Sequence, residues 1–245
     1  MYCAILIRTY RKDLEWLQCC LQAIERHAVG FSEVVVAIPA PSRPWLDRLE
    51  LPSRVRIVEV AAVADDYLGQ QATKLLADTF IDADFIAHVD ADCLFSRRTH
   101  ADELIAAGRP VVATRPIAEL GRHYAWRAPT EAFLGHGVEL DYMQQPPFVY
   151  PRGLYAELRR HALDRFGEPI ERYVTRQPPR GFSEFNALGA WAYRHAPELL
   201  RFVSLAAAPP PCCDWHWSWG GLPPALRRQL EGTNAPREQE DHARP

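Results

Sequence analysis

The first 95 residues alternate short apolar runs with segments of helical periodicity, and this alternation constrains the fold more than any other feature of the sequence. The apolar runs have the length and composition of strands that are buried on both faces. They occupy residues 3–9, 33–38, 55–60 and 84–95. Strands that alternate with helices pair in parallel, because each helical crossover returns the chain to the same edge of the sheet. The sequence therefore predicts an α/β fold, with a mostly parallel central sheet flanked by helices.

The periodic pattern becomes less regular after residue 95. Helical spacing or helix-end signals predict helices, and short apolar runs predict strands. Helices are expected at 14–28 and 69–80 before this point, and at 99–108, 153–166 and 182–196 after it. The strands are expected at 109–115, 147–151 and 200–206. The polar, charged stretch 232–245 is predicted to be a disordered tail.

Composition limits the classes of partner and of cellular location. The chain has 245 residues, 48% of them hydrophobic, and a net charge of −3, so no global basic field favours a polyanionic partner. Neither a signal peptide nor an apolar stretch of transmembrane length is visible, and we expect a soluble, cytoplasmic protein. The six cysteines include no CxxC pair and are expected to be mostly buried thiols.

Two aspartates interrupt the stretch "DFIAHVDADCLF" at residues 84–95. Asp90 and Asp92 follow the fourth predicted strand, at the carboxyl edge where open α/β sheets bind ligands. Carboxylate oxygens are hard donors that suit Mn²⁺ or Mg²⁺, and these ions in turn favour diphosphates. A metal or nucleotide site is the sharper hypothesis. Helix capping and a chance D-x-D pair are the alternatives.

The strand–helix order, "HVDADCLF" and the longer stretch "QQATKLLADTFIDADFIAHVDAD" together resemble the GT-A glycosyltransferases, which use nucleotide-diphosphate sugars and a D-x-D motif. The resemblance covers roughly residues 3 to 220, and the second stretch is similar to small bacterial and phage-type members. It implies a GT-A (Rossmann-like) single domain. Residues 1–115 would form the nucleotide-sugar half, and 116–231 the acceptor-binding half. It also implies that Asp90 contacts the ribose or the metal, and that Asp92 holds the metal.

Four further residues lie where the resemblance implies contacts with the donor. Arg8 and Thr9 end the first strand, where a guanidinium could bind a phosphate and a hydroxyl could reach the base or ribose. Gln71 and Lys74 share one face of the helix that precedes the aspartates, and similar proteins turn such residues toward the sugar or phosphate. The alternatives are a solvated turn for the first pair and an exposed helix face for the second.

Two residues of the second half complete the predicted site. Glu184 lies in "GFSEFNALG", which resembles the segment where inverting GT-A enzymes keep an acidic residue that deprotonates the acceptor hydroxyl. An ordinary acidic residue in a first helical turn is the alternative. His216 lies in "DWHWSWGG", where a C-terminal histidine completes the metal shell of many GT-A enzymes. A packed or surface histidine is its alternative, and Asp214 is the competing ligand.

The expected function is therefore metal-dependent transfer of a sugar from a nucleotide-diphosphate donor to a hydroxyl acceptor. If Glu184 is the base, the transfer should invert the anomeric centre. The resemblance makes a UDP-sugar the commonest donor. A glycan, a lipid-linked sugar, a protein or a hydroxymethylated DNA base all remain open as acceptor. A nucleotidyltransferase of similar architecture and a non-catalytic α/β nucleotide-binding module are the alternative functions. A Gly-rich loop after the first strand is typical of the former, and this chain has "RTYRKD" there.

Overall fold

The computed structural model describes residues 1–121 and 124–233, and they form an α/β fold. The strands are β1 (Cys3–Arg8), β2 (Ala28–Val29), β3 (Val34–Pro39), β4 (Val55–Val60), β5 (Phe85–His88), β6 (Cys93–Phe95), β7 (Thr99–His100), β8 (Ile105–Ala106), β9 (Arg109–Pro116), β10 (Leu140–Asp141), β11 (Phe148–Pro151), β12 (Arg201–Ser204) and β13 (Cys213–Trp215). The α-helices are α1 (Leu14–His27), α2 (Asp66–Leu75), α3 (Arg127–Leu134), α4 (Arg152–Phe166), α5 (Ile170–Thr175), α6 (Glu184–His195) and α7 (Pro224–Thr233).

The central sheet has five strands in the order β11-β5-β1-β3-β4. Strand β1 pairs in parallel with β3 and with β5, and β3 pairs in parallel with β4. Strand β11 lies antiparallel to β5 at one edge. Every residue of β1 and β3 is buried, as expected for strands covered on both faces. The predicted α/β architecture with a mixed, mostly parallel central sheet is thus confirmed.

The two faces of the sheet are covered by different elements. Because side chains alternate along a strand, Ala4 and Leu6 of β1 contribute to one apolar cluster and Ile5 and Ile7 to another. The first cluster includes buried residues of α2, α4, α5 and α6. The second includes α1, β6 and β13. All six cysteines are free and buried, which confirms their predicted role as buried thiols.

The order in which the strands are connected reverses at one position of the sheet. The chain passes from β1 to β3 and β4 on one side, and then returns to β5 on the other side of β1. At such a reversal the two crossovers diverge, and the carboxyl ends of the two central strands border a cleft that binds ligands in open α/β sheets. Residues 9 and 89–92 directly follow β1 and β5, so they lie at this edge.

The helix predicted at 99–108 is wrong. The segment forms β7, a 3-10 turn at Ala101–Leu104 and β8, which pairs antiparallel with β9. The hairpin turn consists of Ala107 and Gly108, with φ of 52° and 75°. Two successive positive φ angles characterise the type I′ turn, whose twist matches that of paired strands. Gly108 suits such a turn, but alanine rarely adopts this conformation, so Ala107 gave no local signal for it.

The helix predicted at 69–80 is shorter and begins earlier. It starts at Asp66 because Asp65 caps it, its side chain accepting a hydrogen bond from Leu68 N at 3.2 Å. It ends at Leu75 and is followed by a 3-10 turn at Ala77–Thr79. The earlier start places Gln70, Gln71 and Lys74 within the helix rather than at its opening.

Segments of the second half extend the first half. Strand β11 joins the central sheet, and β9 pairs with β10 and β12 in a separate four-stranded sheet. Within the described residues, no helix has the length and apolar character needed to cross a membrane. The tail predicted at 232–245 lies outside the described residues from position 234 onward.

Candidate functional site

The aspartate pair lies in the short turn between β5 and β6. The carboxylates of Asp90 and Asp92 and the thiol of Cys93 offer three donor atoms within 4.8 Å of one another. Both carboxylates are partly buried and Cys93 is fully buried. The turn is fixed because Cys93 N donates to Asp90 O at 2.9 Å, so the two carboxylates are held at a short separation.

Lys74 joins the first aspartate to Glu184. Its Nζ lies 2.6 Å from Asp90 Oδ1 and 2.8 Å from Glu184 Oε1, and its side chain is only 2% exposed. Burial alone would lower the pKa of Lys74, but the two carboxylates raise it above its ordinary value. Gln70 Nε2 donates to the same Asp90 Oδ1 at 2.9 Å. The alternative reading of an exposed helix face is therefore excluded for Lys74.

Glu184 is the first residue of α6 and is 1% exposed. Ser183 caps the helix, since its Oγ accepts from Asn186 N at 3.4 Å. The backbone N–H of Glu184 donates to Gln71 Oε1 at 2.9 Å. Burial raises the pKa of Glu184, while the Lys74 ammonium opposes that rise. Gln71 and Lys74 thus bind the backbone and the carboxylate of the same residue.

Arg8 and Thr9 lie at the end of β1 and are both buried. Arg8 donates from Nη1 and Nη2 to the two carboxylate oxygens of Asp66, at 2.7 and 2.5 Å. Thr9 Oγ1 is buried without a hydrogen-bond partner among the described residues, as is Arg8 Nε. Unpaired buried polar atoms are costly, and they mark places where a ligand or water supplies the missing bond. The solvated-turn alternative does not fit either side chain.

The C-terminal segment closes over Asp92 through backbone groups. Ser218 N donates to Asp92 Oδ2 and His216 N donates to Asp92 O, both at 2.9 Å. The segment is placed there because β13 pairs antiparallel with β6, which follows the aspartates directly. The ring of His216 packs 5.2 Å from that of Trp16. The cluster of close donor atoms consists of Asp90, Asp92 and Cys93, without the imidazole of His216.

One further acid, Asp13, adds negative charge at this edge and was not among the predicted site residues. Asp13, just before α1, has a pKa raised to about 6 by burial and by the charges of Asp66 and Asp90, against a hydrogen bond with the Ser218 side chain. The pKa of Asp92 is raised to about 7 by burial, by Asp90 and by Asp13. A strand-to-helix loop after β1 is a recognisable place for Asp13. The Ser218 contact to Asp92 uses a backbone N–H, for which a sequence carries no signal.

The donor set fits a hard divalent cation. Burial is the main cause of the raised pKa of Asp92, and the charge of Asp90 raises it further, so a divalent ion bound there would offset both effects. Asp90 and Asp92 offer oxygen donors, which Mg²⁺ and Mn²⁺ prefer. The Cys93 thiol is different, because burial raises its pKa well above its usual range, so it stays protonated. The two aspartates are therefore the ligands that the site itself supplies.

Comparison with known proteins does not place the chain in a family. A scan of the sequence against protein-family models finds no match, and a search of the curated proteins finds none either. The chemistry of the site's own residues therefore carries the functional assignment.

Proposed function

We propose that this chain is a metal-dependent glycosyltransferase of the GT-A type, which transfers a sugar from a nucleotide-diphosphate donor to a hydroxyl acceptor. The observation that carries the proposal is the partly buried pair Asp90 and Asp92 at the carboxyl edge of the central sheet, with the pKa of Asp92 raised to about 7. Burial and the neighbouring charge of Asp90 both disfavour the ionised form of Asp92, and a divalent cation bound to the pair would offset that cost. A protein retains such an arrangement where it has a use.

The position of the site supports a nucleotide ligand. The aspartates follow β5, and Arg8 and Thr9 end β1, so all four residues border the reversal point of the sheet. Nucleotides bind at this point in open α/β sheets. The unpartnered Thr9 Oγ1 is a buried hydrogen-bonding group that a ribose or base could satisfy. Asp66 holds Arg8 through two hydrogen bonds, which fix the guanidinium near the end of β1.

Asp90 and Asp92 would hold Mn²⁺ or Mg²⁺, which would stabilise the charge that develops on the departing diphosphate. Lys74 and Gln70 both donate to Asp90 Oδ1 and thereby fix the orientation of that carboxylate. Ser218 N fixes Asp92 in the same way through Oδ2. The two ligands are therefore preorganised by neighbouring donors, which lowers the cost of ordering them when an ion binds.

The burial of Glu184 bears on its proposed chemistry. A general base must come within hydrogen-bonding distance of the proton that it takes, about 2.6–3.2 Å. A carboxylate that is 1% exposed and bound by Lys74 does not offer an acceptor hydroxyl that access in this conformation. In the proposed enzyme, Glu184 positions Lys74, and the variant Glu184→Gln distinguishes this role from that of a general base.

Thermal unfolding with nucleotide ligands tests the proposal. We would compare UDP, UDP-glucose, GDP, GDP-mannose, CMP and UTP, each with and without Mn²⁺, because a ligand that binds only the folded state raises the melting temperature. We expect a nucleoside diphosphate to raise it in the presence of Mn²⁺ and not with EDTA. Asp92→Ala should remove the effect, whereas Asp102→Ala, at an exposed aspartate away from the turn, should keep it.

Two outcomes would contradict the proposal. If Mn²⁺ and every nucleotide diphosphate leave the melting temperature unchanged, neither the ion nor the donor binds. If a nucleoside triphosphate shifts melting and turnover releases pyrophosphate rather than a nucleoside diphosphate, the nucleotidyltransferase alternative is correct. Sugar-nucleotide binding without turnover toward a glycan, a lipid-linked sugar, a protein or hydroxymethylated DNA would favour the non-catalytic binding module.

A further inference from the structure

Three tryptophans form a ladder that runs from the core into solvent beside the aspartate pair. Trp215 packs against Phe148 with ring centroids 5.9 Å apart, and stacks on Trp217 at 5.8 Å with an interplanar angle of 20°. Trp217 meets Trp219 edge-on at 5.6 Å. Trp217 is 61% exposed and Trp219 is 72% exposed. The inner ring is therefore anchored, while the two outer rings leave large apolar faces in water.

The ladder is fixed relative to the site by the backbone between its rings. His216 and Ser218 alternate with the tryptophans, and their N–H groups donate to Asp92 O and Oδ2. These two backbone contacts hold the segment against Asp92, while the rings of Trp217 and Trp219 remain exposed. We define the platform as the rings of Trp217 and Trp219. Both residues are adjacent in sequence to Ser218, whose N–H binds the predicted metal ligand Asp92.

A second segment contributes a cation to the platform. Arg180 Cζ lies 5.2 Å from the centroid of the Trp219 ring, within the range of a cation–π contact. Arg180 has a left-handed backbone, with φ of 60°, in the turn that leads into α6. A non-glycine residue in this conformation is strained, and such strain is concentrated at ligand-binding sites. The turn therefore brings Arg180 to the ring although its backbone geometry is unfavourable.

Exposed aromatic rings in a fixed array have a limited set of ligands. The face of an aromatic ring is electron-rich and binds apolar C–H surfaces as well as other rings. Hexopyranose rings present such C–H faces, while nucleobases present π-faces. The charge nearby distinguishes the two, since Asp92 and the exposed Asp214 lie in or beside the same segment, with Asp13 bound to Ser218. Three carboxylates beside the platform would repel a phosphate backbone.

We infer that Trp217 and Trp219 form a stacking site for a neutral carbohydrate ring, and that the acceptor of the transfer reaction is a neutral glycan. That the bound glycan is the acceptor rests on the proposed function. The sugar-binding site itself is inferred from the exposed rings and the nearby charges. Stacking on Trp217 would bring a sugar hydroxyl toward Asp92, because the same segment binds that residue. Arg180 would hydrogen-bond ring hydroxyls at the outer end of the platform.

The test is a binding titration with defined neutral saccharides in the absence of nucleotide. We would titrate the full chain with maltotriose, cellotriose, chitotriose and lactose, following tryptophan fluorescence and saturation transfer from protein to sugar protons. A twelve-residue thymidine oligonucleotide serves as the polyanionic comparison. We expect at least one saccharide to bind, with no measurable binding of the oligonucleotide at physiological salt. Binding of the oligonucleotide alone, or of none of the probes, would overturn the inference.

Variants assign the binding to the platform. Trp217→Ala should weaken saccharide binding about tenfold or more, and Trp217→Phe should restore most of it, because a smaller aromatic face remains. Trp45→Ala is the matched control, since Trp45 is also exposed and carries Arg48 over its ring at 4.1 Å. Equal losses in Trp217→Ala and Trp45→Ala would mean non-specific contact and would overturn the site.

The saccharide titration can be interpreted independently of the test of the proposed function. Saccharide binding that depends on Trp217, together with a Mn²⁺-dependent nucleotide shift, supports both. Saccharide binding without any nucleotide shift upholds the platform and refutes the transferase. A nucleotide shift without saccharide binding refutes the platform alone.

Discussion

Lys74 Nζ lies 2.6 Å from Asp90 Oδ1, so the first of the two predicted metal ligands is bound to a buried ammonium group. The same ammonium lies 2.8 Å from Glu184 Oε1. One cation thus links the aspartate turn after β5 to the start of α6, two segments that are 94 positions apart in the numbering, from 90 to 184. Lys74 therefore links a predicted metal ligand to the buried start of α6, and substitutions of Lys74 and of Glu184 test the two partners of this ion pair.

Replacing Lys74 should destabilise the fold strongly. Lys74→Met keeps an unbranched side chain of similar length but leaves Glu184 buried without its cation, and breaking a buried ion pair from one side costs about 3–5 kcal/mol. Chemical denaturation would measure the loss in unfolding free energy. Lys12→Met, at an exposed lysine, should change it by less than about 0.5 kcal/mol. A loss below about 1 kcal/mol in Lys74→Met would show that the pair is not buried in solution.

Asp92→Asn should stabilise the apo protein, and more so as pH rises. The pKa of Asp92 is raised from 3.8 to about 7 in the folded state, so folding favours the protonated form. The protonated Asp92 carboxyl therefore contributes to the free energy of unfolding in full below pH 4, and this contribution is lost as pH rises through 7. The stability of Asp92→Asn relative to the parent should therefore increase between pH 5 and 7, by at most about 1.4 kcal/mol per pH unit, and level off above 7.

The same variant also reports on the ion. Mn²⁺ should reduce the stability difference at pH 8, because it binds the parent carboxylate and compensates its charge. Asp102→Asn should show a pH-independent difference near zero, since that side chain is exposed. A difference that is flat between pH 5 and 8 in Asp92→Asn would contradict the proposed electrostatic strain.

Glu184→Gln separates the positioning role from the predicted base. Glutamine retains an oxygen that can accept from Lys74, so the fold should persist and, if Glu184 is a positioning residue, turnover should fall by less than about tenfold. Loss of a general base costs about 10²–10⁴-fold and removes the corresponding limb of the pH–rate profile. Measuring kcat across pH distinguishes the positioning role from the role of general base, provided that the affinity for the nucleotide is unchanged. A hundredfold loss of kcat would establish Glu184 as the base.

Gly189→Ala should disrupt the packing of α6. A Cβ at this position would clash with Cγ of Tyr142, whose buried ring cannot move away without cost. Overpacking of this kind costs about 1–3 kcal/mol or more, despite the higher helix propensity of alanine. Gly153→Ala in α4 is the control, because its Cβ would meet nothing within 4 Å. Thermal unfolding that ranks Gly189→Ala at or above the parent would contradict the packing described here.

Local pattern was sufficient for most of the central sheet. The buried runs of β1 and β3 and the helical spacing of α1 depend only on the order of apolar residues, which the sequence displays directly. The hairpin at Ala107–Gly108 was missed for the opposite reason, since alanine at φ 52° is held there by strand pairing and not by its own preference. Helix α2 began earlier than expected because the Asp65 cap acts through one hydrogen bond.

The sequence by itself determined that two carboxylates would follow a buried strand at the ligand-binding edge of a parallel sheet, because strand periodicity and chain order depend on neighbouring residues alone. Only the tertiary structure decided that Lys74 binds both Asp90 and Glu184, and that the backbone of Ser218 closes on Asp92. These contacts join segments far apart in the chain. They form only when sheet pairing and helix packing bring their ends together, so no local pattern of residues encodes them.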